Sequence, residues 1–246
     1  MRRRDALILG GAVAVALALP PILRRRSAAF DFTDMPTLPG FRRLERGALS
    51  GGVDLFAGLQ TTEEEAASAR LPEALCPLIF PQSVAPGHLP VAVFSDYFCP
   101  YCAVLDRRLA EIEASGAAIS LVFHELPLLG ERSVQAARLA LAASAQADHK
   151  EVHLAMMQSV LRPGPAGLRD VAARHGLDPA QLARDVASAE MDERVNDALA
   201  LGRALGIPGT PGLVVGRTVV VGALPEEDLV RLIELEQARG WPGCTP

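Results

Sequence analysis

The sequence predicts an α/β fold, and three observations lead to this prediction. The β-branched run Val91–Phe94 lies between a proline and an acid, as is typical of a buried strand. Residues 132–205 show the apolar spacing of helices almost throughout. Two further apolar β runs meet at Gly216-Arg217, which predicts a hairpin near the end of the chain. The 246 residues suit one large domain with extensions.

The first 26 residues are predicted to lie outside this fold. Arginine triplets flank an uncharged run, residues 6–23, whose length is at the lower limit for a membrane span. Two alternatives remain, an uncleaved membrane anchor and an export signal cleaved near Ser27-Ala28-Ala29. Both predict export, either to the periplasm or to the cell envelope with anchoring in the inner membrane.

Residues 27–88 are predicted to form a largely irregular N-terminal extension rich in Pro and Gly. An acidic-started helix ending near Pro72 is the one element expected within it. The extension is followed by a predicted domain over residues 89–236 and a C-terminal tail over 237–246. The remaining acidic chain has no basic stripe and few aromatic residues, which argues against a nucleic-acid partner.

Within the predicted domain the elements alternate. The first strand runs into Cys-Pro-Tyr-Cys, and apolar residues at helical spacing then continue to Gly116. A second strand breaks at Pro127, and the helical block of about 132–205 should contain three or four helices. After the hairpin, a last helix begins with Pro225 in its first turn.

The Cys-x-x-Cys pair at the start of a helix predicts a thiol–disulfide exchange site. Cys99 would lie at the helix N-terminus, where unpaired N–H groups and the dipole favour a thiolate. It should therefore have the lower pKa and the greater exposure. Cys102, one turn further on, should be buried and attack a mixed disulfide. Pro100 suits the first helical turn, and Tyr101 lies where it can tune the dithiol and touch substrate.

Other uses of the motif are less well supported. A zinc site needs a second Cys-x-x-Cys or a Cys/His pair, and the sequence has neither. His149 and His153 stand at i and i+4 but have no third ligand at a recognisable spacing, so no metal and no cofactor are predicted. A soft Cu(I) site remains an alternative of another class. A purely structural disulfide between Cys99 and Cys102 is a weaker alternative, because closing so short a loop removes little entropy from the unfolded chain.

The stretch VFSDYFCPYC, with HELPLLGERSVQAARLALAA and IPGTPGLVVGRTVVVGA downstream, resembles the DsbA-type branch of the thioredoxin superfamily. The resemblance covers roughly residues 89–236. It implies a thioredoxin-like fold with an inserted helical domain and protein-disulfide oxidoreductase activity. It also implies a cis Thr210–Pro211 bond beside the active-site cysteines, where both residues would shape the substrate groove.

The resemblance implies cysteine-containing exported proteins as clients and a membrane or periplasmic redox partner. A disulfide donor is the favoured direction, with a reductase or isomerase as the alternative. One departure concerns proton transfer, because Val93 stands where relatives often have a buried acid. Asp96 is closer to the cysteines and is interpreted as a strand-end residue.

The remaining cysteines, Cys76 and Cys244, lie outside the resembling region. An even cysteine count in an oxidising compartment predicts that they form a structural disulfide. This bond would connect the N-terminal extension to the C-terminal tail.

Overall fold

The computed structural model describes residues 29–51, 62–72, 75–81 and 84–244. The chain divides into two units, 1–31 and 32–246, and every element below belongs to the second. None of the helices in the described ranges combines the length and apolar character that crossing a bilayer requires. The predicted span over residues 6–23 lies outside the described residues.

Six strands form one mixed sheet in the order β1-β2-β6-β5-β3-β4. β2 pairs parallel with β6, and β3 pairs parallel with β4, while the other neighbours are antiparallel. The strands are β1 (Thr33–Asp34), β2 (Arg42–Glu45), β3 (Leu89–Ser95), β4 (Ile119–Glu125), β5 (Gly212–Val215) and β6 (Thr218–Val221).

The three strands at the centre of the sheet are buried along their whole length. β3, β5 and β6 consist mainly of valine and other apolar residues and have no exposed position. Strands covered on both faces read as continuous apolar runs, which is why the sequence pattern found them. The predicted hairpin is confirmed, since Val215 pairs with Thr218 across Gly216, whose φ is +54°.

Helices cover the sheet and fill the segment between β4 and β5. They are α1 (Thr62–Arg70), α2 (Cys76–Ile79), α3 (Pro100–Ala114), α4 (Glu131–Ala143), α5 (His149–Met157), α6 (Gly164–His175), α7 (Pro179–Val186), α8 (Ala189–Ala204) and α9 (Glu226–Arg239). Helices α4 to α8 enclose an apolar core of their own, in which Ala140, Val152 and Leu182 are fully buried.

The helical block contains five helices rather than the predicted three or four. The two additional boundaries lie before α5 and before α8, where the chain has neither proline nor glycine. Asp148 begins α5 by accepting the N–H of Glu151 at 3.0 Å, and Ser188 is the N-cap residue of α8. Small polar caps can start a helix without a proline or glycine break.

The prediction that residues 27–88 are largely irregular is wrong for the segment before Gly51. Arg42–Glu45 forms strand β2, which adds to the sheet beside β6. Leu44 is its one apolar residue and is buried. A four-residue strand with a single apolar position has no alternation for sequence analysis to detect. The predicted tail also begins inside a helix, because α9 continues to Arg239.

Candidate functional site

Cys99 and Cys102 lie where strand β3 passes into helix α3. Cys99 caps the helix with an extended backbone, φ −89° and ψ 113°, and Pro100 occupies the first turn, where no backbone donor is needed. The backbone N–H of Cys102 is directed at the Cys99 sulfur, at 3.3 Å. Capping therefore provides a hydrogen-bond donor at the position where a thiolate would form.

The two thiols differ in acidity. The hydrogen bond from the Cys102 side chain lowers the pKa of Cys99 to about 6, and the Cys102 backbone adds to this effect. Burial raises the pKa of Cys102, and the neighbouring Cys99 and Asp106 raise it further. Cys99 is thus the thiol that ionises near neutral pH, and Cys102 remains protonated.

Both thiols are buried. Cys99 is 1% exposed and Cys102 is fully buried, so the difference in exposure between them is very small. The segment Ala48–Gly51 closes this side of the site. Within it, Ser50 forms an isolated β-bridge with Thr210, and its side chain contributes to the lowered pKa of Cys99. Nothing in the local sequence indicates this contact, which joins residues far apart in the chain.

The Thr210–Pro211 peptide bond is cis. The Thr210 carbonyl oxygen faces the active site, where the Cys99 thiol donates to it at 3.4 Å. The Thr210 hydroxyl is buried and has no hydrogen-bond partner among the described residues. On the other side of the dithiol, Pro100 is exposed and Tyr101 is 42% exposed. The structure thus brings these predicted groove residues around Cys99.

Asp96 holds the turn that precedes the active-site cysteines. Its buried carboxylate accepts hydrogen bonds from the N–H of Phe98 at 2.8 Å, the N–H of Leu129 at 3.0 Å and the hydroxyl of Ser133 at 2.7 Å. These bonds connect the end of β3 to the loop after β4 and to α4. Asp96 is a strand-end residue that fixes the position of the turn.

A buried polar network that the sequence analysis missed lies beneath the dithiol. Asp106, four residues after Cys102 on α3, accepts from Ser95 at 2.9 Å and hydrogen-bonds His153 Nε2 at 3.1 Å. The other ring nitrogen of His153 lies 2.9 Å from Glu125. The i, i+4 spacing of Cys102 and Asp106 can be read from the sequence. The sequence does not show that α5 and β4 bring His153 and Glu125 to Asp106.

The Glu125 carboxylate hydrogen-bonds the remaining groups of this network. Tyr97 donates to it at 2.7 Å, and His149 Nε2, which is partly exposed, lies 3.0 Å away. Although burial alone would raise the pKa of Glu125, the charge of His153 and the histidine hydrogen bonds lower it to about 2. Burial would lower the pKa of His153, but Glu125 and Asp106 raise it to about 9. Glu125 and His153 therefore form a buried ion pair at neutral pH.

Within the described ranges, one group of residues has donor atoms close enough for a metal ion. It consists of Glu125, His149 and His153, whose ligand atoms lie within 4.8 Å of one another. Both ring nitrogens of His153 are already hydrogen-bonded to carboxylates. His153 is thus hydrogen-bonded to two carboxylates, and Glu125 Oε2 alone has no partner among the described residues of this cluster, so we interpret the cluster as a polar network.

Cys76 and Cys244 are joined by a disulfide, with their Cα atoms 5.3 Å apart. The bond connects the start of α2 to the segment after α9. Beside it, the Phe80 and Trp241 rings pack edge to face at 5.2 Å. Arg217 donates to the Gly243 carbonyl at 2.9 Å, so the C-terminal segment is held by polar contacts as well.

Comparisons with known proteins agree with this geometry. The family model of the DSBA-like thioredoxin domain matches residues 90–234. No curated protein sequence matches the chain.

Solved structures provide a further comparison. A thioredoxin-like oxidoreductase from Silicibacter pomeroyi DSS-3 is 32% identical over 66% of this chain and 96% of its own, with a TM-score of 0.58. A periplasmic thioredoxin-like protein from Salmonella enterica serovar Typhimurium is 25% identical over 73% of this chain and 99% of its own, with a TM-score of 0.56.

The thiol-disulfide exchange protein alpha-DsbA2 from Wolbachia pipientis shares the fold at 21% identity, with a TM-score of 0.59 over 72% of this chain and 99% of its own. The region that the family model matches contains the dithiol, the helical block and the cis proline loop. The chain therefore belongs to the DSBA-like thioredoxin domain family and is a protein-disulfide oxidoreductase.

Proposed function

We propose that the protein exchanges disulfides with exported client proteins through Cys99 and Cys102, and that it acts as a disulfide donor. In the donor direction, a client thiolate attacks Cys99 of the Cys99–Cys102 disulfide, and Cys102 leaves and takes up a proton. A second client thiolate then attacks the client sulfur of the mixed disulfide and releases Cys99 as a thiolate. The client is oxidised and the dithiol is reduced.

The observation that carries this proposal is the pKa of Cys99, which is lowered to about 6. A thiolate that is stabilised in the reduced protein makes the reduced form more stable relative to the disulfide. The disulfide is then a stronger oxidant, and Cys99 is also the better leaving group. Pro100 is compatible with this arrangement, because it lies in the first helical turn and the N–H that donates to the Cys99 sulfur comes from Cys102.

The reduction potential of the Cys99–Cys102 couple tests the direction. Equilibration with glutathione buffers should give a value closer to the roughly −120 mV of a strong oxidant than to the roughly −270 mV of a reductase. Reduced, unfolded client proteins should gain disulfides when mixed with the oxidised protein. A potential near the reductase value would instead support the reductase or isomerase alternative.

Copper binding is the alternative from another class. Cys99 and Cys102 are both free thiols, and two soft thiolate ligands can bind one Cu(I) ion. The high pKa of Cys102 works against this use, because a metal ligand must be a thiolate. Titration of the reduced protein with Cu(I), followed by assay of disulfide exchange, separates the two functions.

We further propose that the protein works in the periplasm or cell envelope, tethered to the inner membrane by residues 6–23 or released after export. A compartment that maintains disulfides suits the Cys76–Cys244 bond. A membrane or periplasmic redox partner would reoxidise the dithiol after each transfer. Cell fractionation with N-terminal sequencing tests the tether, and a mature soluble protein beginning near Phe30 would exclude it.

A further inference from the structure

The backbone of Thr210 is paired with a segment of the same chain. The N–H of Ser50 donates to the Thr210 carbonyl, and the N–H of Thr210 donates to the Ser50 carbonyl, both at 2.6 Å. This is a reciprocal antiparallel bridge, the bond pattern by which an extended peptide adds to a sheet edge. The residue that borders Cys99 therefore already has a strand partner.

The segment Gly47–Gly51 consists mainly of small residues, which allow its backbone to lie close to this edge. A Cβ atom added to Gly47 would lie 2.0 Å from the Ala223 carbonyl oxygen, and one added to Gly209 would lie 2.7 Å from the Ser50 carbonyl oxygen. The N–H of Ala223 donates to the Ala48 carbonyl at 2.7 Å, so a second bridge holds the segment at its other end. Leu49 is the one large residue, and it is 39% exposed.

The same segment lies beside the reactive thiol. The Ser50 side chain is one of the groups that lower the pKa of Cys99, and Cys99 is 1% exposed. Any sulfur that attacks Cys99, or that Cys99 attacks, must come into direct contact with its Sγ atom. A serine hydroxyl is the oxygen counterpart of a cysteine thiol, and the backbone of Ser50 is paired with Thr210, whose carbonyl oxygen lies 3.4 Å from the Cys99 sulfur.

We propose that residues Ala48–Gly51 occupy the sheet edge at Thr210 to which a client protein would bind, and that Ser50 lies where the reactive cysteine of the client would lie. We call this segment the internal stand-in for the client. This inference rests on the proposed function and adds the client's register. A client would bind as an extended strand, replace both hydrogen bonds to Thr210, and place its cysteine where Ser50 lies. A large residue before that cysteine is compatible with this register, because Leu49 holds that place and is 39% exposed.

The register can be tested with a cysteine placed at the stand-in position. In the Cys102→Ser background, Ser50→Cys should form a disulfide with Cys99 when oxidised glutathione is added. The two thiols lose two protons and two electrons, and the glutathione disulfide becomes two glutathione thiols. Leu49→Cys in the same background is the matched control, because the next residue of a strand points to the opposite face.

Peptide mapping without reductant identifies which cysteines are joined in each variant. The proposal expects a disulfide between the introduced cysteine and Cys99 in most of the Ser50→Cys protein, and a glutathione adduct in the Leu49→Cys protein. It is overturned if the cysteine introduced at position 50 forms the bond no more often than the one introduced at position 49. A thermal unfolding curve for each variant shows that both proteins are folded.

The covering role can be tested by the rate at which iodoacetamide caps Cys99 in the reduced protein. Ser50→Pro removes the N–H that donates to Thr210 and should raise this rate about fivefold, the factor for a hydrogen bond of about 1 kcal/mol. Leu49→Pro places proline in the same segment without removing a donor of the bridge, and its rate should stay near that of the unaltered protein. Equal rates for all three proteins overturn the covering role.

Disulfide exchange distinguishes this failure from failure of the proposed function. If the capping rates are equal but the protein still oxidises a reduced client, only the stand-in is excluded. If no variant exchanges disulfides with any thiol or disulfide reagent, the proposed function itself is excluded.

Discussion

The backbone N–H of Cys102 donates to the sulfur of Cys99 at 3.3 Å, so the helix that carries the buried thiol also stabilises the reactive one. The two cysteines cannot exchange roles, because only Cys99 occupies the capping position. The pKa of Cys99 is lowered to about 6, while that of Cys102 is raised by burial. This asymmetry gives the first prediction.

Cys102→Ser should accumulate mixed disulfides with client proteins, because Cys99 can still react but has no resolving thiol. Cys99→Ser should abolish exchange, since Cys102 is fully buried and protonated. Gels run without reductant should show high-mass bands for Cys102→Ser that disappear with reductant. The double variant is the control for adducts at other positions. Trapping by Cys99→Ser alone would reverse the assigned roles.

Removal of Cys76–Cys244 should destabilise the protein. The bond closes a loop with a sequence separation of 168, which corresponds to about 5 kcal/mol in the chain-entropy model. The Cys76→Ala/Cys244→Ala double variant should therefore unfold at lower denaturant concentration with a similar slope. Disulfide exchange at the active site should persist below that transition. An unchanged midpoint would show that the bond does not constrain the unfolded chain.

Stability should depend on pH through the buried His153–Glu125 pair. The pKa of His153 is raised in the folded state from its ordinary 6.5 to about 9, so its contribution is full below 6.5 and is lost as pH rises through 9. The pKa of Glu125 is lowered from 4.5 to about 2, so its contribution is full above 4.5 and is lost as pH falls through 2. Both contributions are complete between pH 4.5 and 6.5.

His153→Gln isolates this effect. The variant should be less stable than the unaltered protein by a few kcal/mol near pH 6, and the difference should shrink between pH 6.5 and 9. Denaturant unfolding of the oxidised proteins measures it, because the Cys99–Cys102 disulfide removes the titration of Cys99. A difference that is constant over this range would mean that His153 is not charged in the folded state.

Asp96→Ala should reduce the stability of the protein. The change leaves two backbone N–H groups, those of Phe98 and Leu129, without their acceptor, at a cost of about 1–3 kcal/mol for each. Ser133→Ala is the matched control, since it loses one bond to the same carboxylate and should cost about 1 kcal/mol. Denaturant unfolding of the two variants and the unaltered protein measures these differences.

The central elements and the dithiol could be predicted because their signals are local. Val91–Phe94 is a continuous apolar run in a strand covered on both faces, and Cys99 with Pro100 marks the start of a helix. Strand β2 was missed because RRLE has one apolar residue and becomes a strand only beside Val219–Val221. Its pairing is a tertiary property.

The surroundings of the dithiol could be predicted only in part for the same reason. Asp106, Glu125 and His153 come from a helix, a strand and a second helix, and only the folded chain brings them together. Ser50 lies far from Cys99 in sequence, and no periodicity relates them. Burial of Cys99 therefore could not be foreseen from the helix that positions it.

The pairing of β2 with β6 also sets an order of events during synthesis. Arg42–Glu45 precedes its parallel partner Thr218–Val221 by 176 residues along the chain, so this part of the sheet cannot close until the second segment has been made. Contacts of such long sequence separation form slowly, because a large loop must be ordered before they contribute. Until then the valine-rich edge of β6 has no partner on that side. A newly made chain therefore passes through a stage at which this edge can join other unfolded chains, and a chaperone that shields extended apolar segments would act at that stage.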